Sequence, residues 1–441
     1  MREFGRVICE ALFNDLEADE DSALPARLRY AGETYRRRER SPNTIATLFG
    51  SISLRRYLYE CLEPGEPCLF PLEIALGLEA QLATPALAER VGRLVADHEQ
   101  AQVLRLLAEE NNVAWSVDSL RKCSASLHEG LASFREPAQV AKLLEALETA
   151  EKSKGSHRPT LSSGRDGVMM PMRKSKTGFR EAATATVSVL DRAGKRVTTV
   201  YLGQMPEAGQ PTLTAELTSL LRAVLVAWHA AGQWLPRLSY VTDGGRHPRA
   251  YFREVLQKMA NPWQPGTCLK WQWTIDFYHA CQHLWDLAEA LFGSGKKANR
   301  WYRKMRHRLR HQRGGIANVL RSASQHHNRR QLGATRNRAF WKAYRYLRRH
   351  AAWMKYAQWR AAGLPIGSGV TEAACKTVFT QRLKRSGMKW TKEGGAVVVG
   401  LRVLVLSRIW TTVFRQRLQK LTRPKAGSSR NGQRALNDLA A

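Results

Sequence analysis

The stretch GRDGVMMPMRKSKTGFREAATATVSVLDRAGKRVTTVYLGQ, Gly164 to Gln204, is where the texture of this chain changes from helical to extended. Short runs rich in Val, Thr and Met predict strands at Val168–Met172, Ala182–Leu190 and Arg196–Leu202, with DRAGK, Asp191 to Lys195, as the hairpin turn between the last two. Downstream the pattern predicts a helix over Leu213–Ala231 and a strand over Leu238–Thr242 that runs into TDGG. A helix over Pro248–Met259 and a strand over Cys268–Ile275 follow. Three hairpin-like strands, then helix, strand, helix and strand, imply an α/β fold with a mixed sheet flanked by helices.

Working outward, residues 1–150 read as mostly helical. Pro85–Leu94, His98–Glu110 and Ser116–His128 are three helical pieces, with Asn111-Asn112 as a turn and Ser116 as the N-cap of the third. Residues 84–130 thus form a candidate helix-turn-helix, with Arg121 and Lys122 on the early turns of its last helix; a plain helical bundle accounts for the same pattern. The Ser-, Gly- and Lys-rich segment 151–165 reads as a linker. Residues 166–283 are the first part of the α/β domain, and 284–365 form a basic, all-helical insertion. Residues 366–421 return to the domain as its C-terminal helices, and 422–441 read as a disordered tail. In the insertion Trp301, Met305 and Leu309, and then Phe340, Tyr344, Leu347, Ala351 and Met354, make helical core stripes. Arg303, Arg306, Arg310, Arg345, Arg348 and Arg349 occupy the remaining faces, where they meet solvent or phosphate.

The formal charge is +32, and it is unevenly placed. Residues 1–289 carry 35 Lys+Arg and 35 Asp+Glu, whereas residues 290–441 carry the other 35 Lys+Arg against only Glu372, Glu393 and Asp438. A polyanion is the implied partner, because neutralising phosphates releases condensed counterions. A membrane surface is the competing reading. The longest apolar candidate, Ala396 to Trp410, is broken by Arg402 and Arg408, and the acidic N-terminus lacks the order of a signal peptide. Seven scattered cysteines with no CxxC pair read as reduced thiols of a cytoplasmic protein.

Three acids stand out by position: Asp166 at the start of the first strand, Asp243 at the end of a later one in YVTDGG, and Glu372 in IGSGVTEAACK, at the start of a helix. Singly, each has an ordinary explanation in turn chemistry or the helix macrodipole. Together they suit phosphoryl transfer, which uses two divalent cations about 4 Å apart. Magnesium prefers hard oxygen ligands, and carboxylates supply them.

With a helical insertion between the last two acids, Asp166, Asp243 and Glu372 resemble the DDE triad of bacterial insertion-sequence transposases of the Mutator-like group. DFYH, Asp276 to His279, resembles that group's C/D-x-x-H signature. GSGVTEAACKTVFTQRLKRSGMKWT, Gly367 to Thr391, resembles its block around the final glutamate, ending in a Gly-Met-x-Trp turn. The resemblance covers about residues 160–415; the N-terminal third joins it only loosely, through TLFGSISLRRYLYE.

The resemblance implies a ribonuclease-H-like catalytic core, with Asp166, Asp243 and Glu372 as catalytic metal ligands for two Mg²⁺ ions, replaceable by Mn²⁺. It implies Asp276 and His279 as support for the active site; a local hydrogen-bonded pair explains them equally, and Asp276, His279, Cys281 and His283 have a spacing open to zinc. Lys376, Arg382, Lys384 and Arg385 follow Glu372 on its helix and are expected to clamp phosphates. The implied activity is binding of element ends and strand cleavage and transfer on double-stranded DNA, by a homodimer or larger assembly, in the bacterial cytoplasm and nucleoid. A catalytically silent DNA-binding regulator and a structure-specific nuclease of the same fold are the alternatives.

Overall fold

A computed structural model describes residues 1–17, 24–173 and 178–422. In chain order, helix α1 (Arg2–Asp15) leads to strands β1 (Arg27–Tyr30), β2 (Glu33–Thr47) and β3 (Gly50–Cys61). Helices α2 (Pro71–Ala75), α3 (Pro85–Asp97), α4 (Gln100–Asn111) and α5 (Val117–Glu151) follow. Strands β4 (Thr160–Pro171), β5 (Phe179–Leu190) and β6 (Arg196–Gln204) come next, then α6 (Pro211–Ala230), β7 (Arg237–Thr242), α7 (Arg246–Glu254) and β8 (Gln272–Ile275). Helices α8 (Phe277–Phe292), α9 (Lys296–His311), α10 (Gly315–Asn328), α11 (Ala334–His350) and α12 (Tyr356–Ala361) make the insertion. The chain then enters α13 (Gly369–Ala374), a π-helical turn over Cys375–Thr380, α14 (Gln381–Leu383), α15 (Lys392–Leu406) and α16 (Trp410–Thr422). The tail predicted over 422–441 lies, from 423 on, outside the described residues.

Contacts divide the chain within α5 into two units: residues 1–138 with 393 onward, and residues 139–392. In the first, β1, β2 and β3 form an antiparallel sheet in that order. Helices outweigh strands over residues 1–150, as expected, but this sheet was not foreseen. The strands were hidden because they carry arginine and serine at many positions, so no clean apolar alternation marks them. Helices α3, α4 and the start of α5 match the expected three pieces. Ser116 Oγ accepts from Ser119 N at 3.1 Å as the N-cap, and Asn112 ends α4 at φ +51°, a left-handed geometry asparagine tolerates. The third helix runs on to Glu151, well past His128. Residues from 393 on also join this unit, whereas the sequence kept them with the α/β domain. Their anchors include Arg402, bonded to Asp97 Oδ1 at 2.6 Å and to the Ala96 carbonyl at 2.8 Å.

The second unit is a mixed α/β domain. Its five-stranded sheet has the order β6-β5-β4-β7-β8, with β4, β5 and β6 antiparallel and β7 and β8 parallel to β4. The DRAGK hairpin is present: Asp191 N donates to Lys195 O at 2.8 Å, and Asp191 Oδ1 accepts from Ala193 and Lys195 N–H. The core runs from Leu143 to Tyr356 without a break, through the sheet, α6, α8 and the insertion stripes. Trp301, Met305, Leu309, Phe340, Leu347 and Met354 are buried as the helical periodicity predicted.

Two boundaries differ from the sequence reading. Strand β4 begins at Thr160, so the linker predicted to reach 165 ends at 159, and Asp166 lies inside a strand rather than at its start. Strand β8 is confined to Gln272–Ile275, four residues shorter at its start than expected. Among the described residues no single helix is long and apolar enough to cross a membrane.

Candidate active site

Alternation along β4 sorts its side chains by charge. Arg165 points to one side, where it is buried against Gln210 Oε1 and Thr214 Oγ1, each at 3.0 Å, with its guanidinium 4.7 Å from the Tyr251 ring. Asp166 therefore points to the other side and is not neutralised by its neighbour. Helix α13 lies over that same side. Thr371 on α13 shares a hydrogen bond with Thr186 on β5 at 2.8 Å, and Gly164 lies opposite Thr186 in the sheet. A Cβ on Gly164 would stand 2.2 Å from Thr371 Oγ1 and 2.9 Å from Val241 O, so only glycine lets the helix come this close. The glycine that resembled part of a linker is there for packing.

Glu372 sits in the first turn of α13, where Ser368 Oγ donates to Glu372 Oε1 at 3.1 Å. One turn later Cys375 Sγ donates to Asp166 Oδ2 at 3.4 Å, tying the π-helical turn to β4. Asp243 follows the end of β7, and its Oδ1 accepts from Gly245 N at 2.8 Å. Its main-chain carbonyl accepts the Tyr346 hydroxyl at 2.5 Å, so the insertion helix α11 braces the Asp243 loop. Tyr346 in turn stacks on His283 with ring centroids 3.8 Å apart, and its carbonyl meets His350 Nδ1 at 2.9 Å. Burial, then the neighbouring His279, Lys342 and His350, pushes His283 down to about 4, leaving its imidazole neutral at physiological pH.

Electrostatics connects the three acids. Burial pushes Asp166 up to about 6; the Gly167 N–H hydrogen bond opposes it, the carboxylate of Asp243 adds to it, and Cys375 and Glu372 make smaller contributions, downward and upward. Among the described residues no lysine or arginine forms an ion pair with Asp166, Asp243 or Glu372, in a chain of charge +32.

Asp276 is fully buried and joins three segments. Its N–H donates to Thr242 O at 2.7 Å, its Oδ1 accepts from His279 N at 2.6 Å as the N-cap of α8, and its Oδ2 accepts from Ser368 N. Phe277 N donates to Ile366 O at 2.9 Å beside it. The role of Asp276 is thus to fix the Gly367-Ser368-Gly369 turn against the end of β7. His279 is half-buried and bonds Gln282 Oε1 through Nδ1 at 3.1 Å.

Among the described residues no three His, Cys, Asp or Glu side chains are gathered tightly enough to enclose an ion by themselves. A closed zinc site at Asp276, His279, Cys281 and His283 is therefore not formed. Magnesium makes a different demand: it keeps several waters and takes one or two carboxylates together with substrate phosphates. An open set of hard-oxygen donors at Asp166, Asp243 and Glu372 fits that chemistry.

The basic residues divide into three groups by exposure. Lys376, Lys384, Arg385, Arg303, Arg345, Arg348 and Arg349 are exposed, as are Arg121 and Lys122 of the other unit. Arg306 and Arg310 are half-buried, their guanidinium groups 5.4 and 5.7 Å from the Phe277 ring. Arg382 corrects the expectation of a phosphate clamp: it is 1% exposed and packs 5.6 Å from the Trp390 ring. The turn through Gly387 and Met388 brings Trp390 back to the end of β4, where Trp390 N donates to Pro171 O at 3.1 Å. Burying Arg382 under that turn is a tertiary effect that a helical wheel does not reveal.

Sequence reasoning missed Cys375 and Ser368 as site neighbours, although they lie at i+3 and i−4 from Glu372, one helical turn to either side. It also missed Tyr346, whose contact with Asp243 spans 103 residues. Compared with known proteins, the chain matches no family model, and no curated protein is significantly similar to it.

Proposed function

We propose that the chain is a DDE transposase of the Mutator-like group, acting on double-stranded DNA with Mg²⁺, or Mn²⁺ in its place. The observation that supports this reading is that Asp243, after β7, and Glu372, on α13, lie near enough to Asp166 on β4 to add to the upward push of burial on its carboxyl, to about 6, with no cationic side chain among the described residues paired with any of the three. An ionised carboxylate drawn out of water without a partner is costly, and this applies to the partly buried Asp166; Glu372 is exposed and stays open to solvent or an ion. The mixed sheet with flanking helices, the triad's order along the chain and the helical insertion before Glu372 are compatible with a ribonuclease-H-like core.

In this reading Asp166, Asp243 and Glu372 would hold the divalent ions, which when bound would supply Lewis-acid activation of the attacking and leaving oxygens. Ser368 and Cys375 orient Glu372 and Asp166, Tyr346 fixes the Asp243 loop, and Asp276 fixes the turn before α13. The exposed arginines of α11 and the lysines after Glu372 bind phosphates and orient the duplex. Water attack at the element end frees a 3′-hydroxyl, which then attacks the target strand in line. A dimer or larger assembly brings two ends together. The test is joining of a labelled duplex carrying the element end to a plasmid, with and without Mg²⁺, beside the Glu372→Gln variant. Metal-dependent joined product from wild type alone supports the proposal. Binding of the correct end without any cut overturns it and favours a regulator, and cutting without joining favours a nuclease.

A further inference from the structure

The N-terminal sheet sorts a run of arginines that looks electrically unremarkable in the sequence. Cross-strand register places Arg27 directly opposite Arg36, and Arg29 two residues along on the same face of β1. All three are exposed, while the alternate residues Leu28 and Tyr35 turn to the other face and pack with Tyr57, Tyr59, Cys61 and Leu69. On β3 the residue facing Arg36 is Glu60, and this acid is already taken by Arg38 in a salt bridge. Among the described residues Arg27, Arg29 and Arg36 pair with no carboxylate.

Like charges directly opposite one another in an antiparallel pair are destabilising. Arginine facing arginine at an exposed ladder position therefore carries a cost in the free protein that an anionic partner removes. The partner must present several negative charges in a row, because Arg27, Arg29 and Arg36 lie close together on one flat face. A nucleic-acid backbone does so, and guanidinium groups grip phosphate through paired N–H donors. Antiparallel β-ribbons are also of a size to enter a DNA major groove.

We propose that the exposed face at the β1 end of the N-terminal sheet is a second DNA-binding surface, engaging duplex phosphates through Arg27, Arg29 and Arg36 and belonging to a different unit from the carboxylate site. It rests on the reading of the protein as one that acts on duplex DNA, and it moves the N-terminal contact from the candidate helix-turn-helix to the sheet.

The experiment measures equilibrium binding of the full chain to a double-stranded oligonucleotide across a salt series. Wild type is compared with the triple variant Arg27→Gln/Arg29→Gln/Arg36→Gln and with the triple Arg-to-Lys variant at the same positions. Each lost phosphate contact removes about 0.9 from the slope of log K against log salt, so the Gln variant is expected to lose roughly 2 to 3 units of slope. The Lys variant keeps the slope, because lysine binds phosphate as a point charge. Unchanged slope in a Gln variant that melts like wild type overturns the proposal while leaving the transposase reading intact. Equal loss in the Lys variant also overturns it, since the effect then follows the fold and not the charge. Absence of any salt-dependent binding by wild type sinks the transposase reading itself.

Discussion

Ser368 donates its backbone N–H to the buried carboxylate of Asp276, 92 residues earlier in the chain. Because the other Asp276 oxygen caps α8, one side chain determines where the insertion leaves the sheet and where the chain returns to it. Replacing Asp276 with Asn leaves one acceptor oxygen for two N–H donors and turns an amide against one of them. The expected loss is about 1.5–3 kcal/mol, the range for a hydrogen bond to a charged group. It is read as a lowered denaturation midpoint, with strand joining lost and duplex affinity retained. A variant of wild-type stability and activity removes Asp276 from its positioning role.

The three acids are expected to act as a set. On the proposed reading, Asp166→Asn, Asp243→Asn and Glu372→Gln would each remove a hard-oxygen ligand worth several kcal/mol of charge stabilisation, on the order of a thousandfold in cleavage rate. Duplex affinity, carried by the basic surfaces, stays near wild type. Comparable cleavage by any one variant in Mg²⁺ takes that residue out of the site.

Asp166 also gives the stability a pH signature in the metal-free protein. Its folded value of about 6 stands above the ordinary 3.8. A raised carboxyl contributes stability that is present in full below the unfolded value and lost as pH rises through the folded value. Ionised Asp166 therefore costs on the order of 2–3 kcal/mol above about pH 6. Asp166→Asn is predicted to melt higher than wild type at pH 7.5 in chelator, with the gain vanishing near pH 4. Added Mg²⁺ should raise the wild-type midpoint and leave the variant unmoved. A variant no more stable at pH 7.5 than at pH 4, relative to wild type, contradicts the raised carboxyl.

Much of this site was legible from local pattern. Strand–turn–helix order placed Asp243 and Glu372 at element ends, and the DRAGK turn and core stripes were read from spacing alone. What was not legible depends on contacts distant in sequence. Ser162, Ser163 and Gly164 look like linker, yet they are strand residues, and Gly164 is kept bare beneath a helix over 200 positions later. Arg382 looks like its exposed neighbours until Trp390 folds over it. The arginine-rich β2 has no apolar alternation, because its two ends bury opposite faces on either side of the irregularity between Arg37 and Arg40.

The exposed face of α11 gives a prediction in salt. Arg345, Arg348 and Arg349 are exposed on that helix, and α11 also braces Asp243 through Tyr346. Neutralising all three with Gln is expected to flatten the salt slope of duplex binding by roughly 2 to 3 units and to leave the melting midpoint unchanged. An unaltered slope means that this face meets solvent, not phosphate.

The last prediction concerns the fit of α13 on the sheet. Gly164→Ala places a methyl group 2.2 Å from Thr371 Oγ1 and 2.9 Å from Val241 O, and neither is the end of a flexible side chain. Overpacking of this kind costs about 1–3 kcal/mol and is relieved by displacement of one partner. Val241 belongs to β7, held between β4 and β8 in the sheet, so α13 is the element that yields, and Glu372 moves with it. Joining should fall steeply, while Asp243, held through its own loop and Tyr346, keeps its place. Thr371→Ala in the same chain removes the nearer clash at the expense of the Thr186 hydrogen bond, about 1 kcal/mol. The double variant is therefore expected to regain part of the activity that Gly164→Ala loses. Full activity in the single variant means that the placement of α13 on β4 does not govern Glu372.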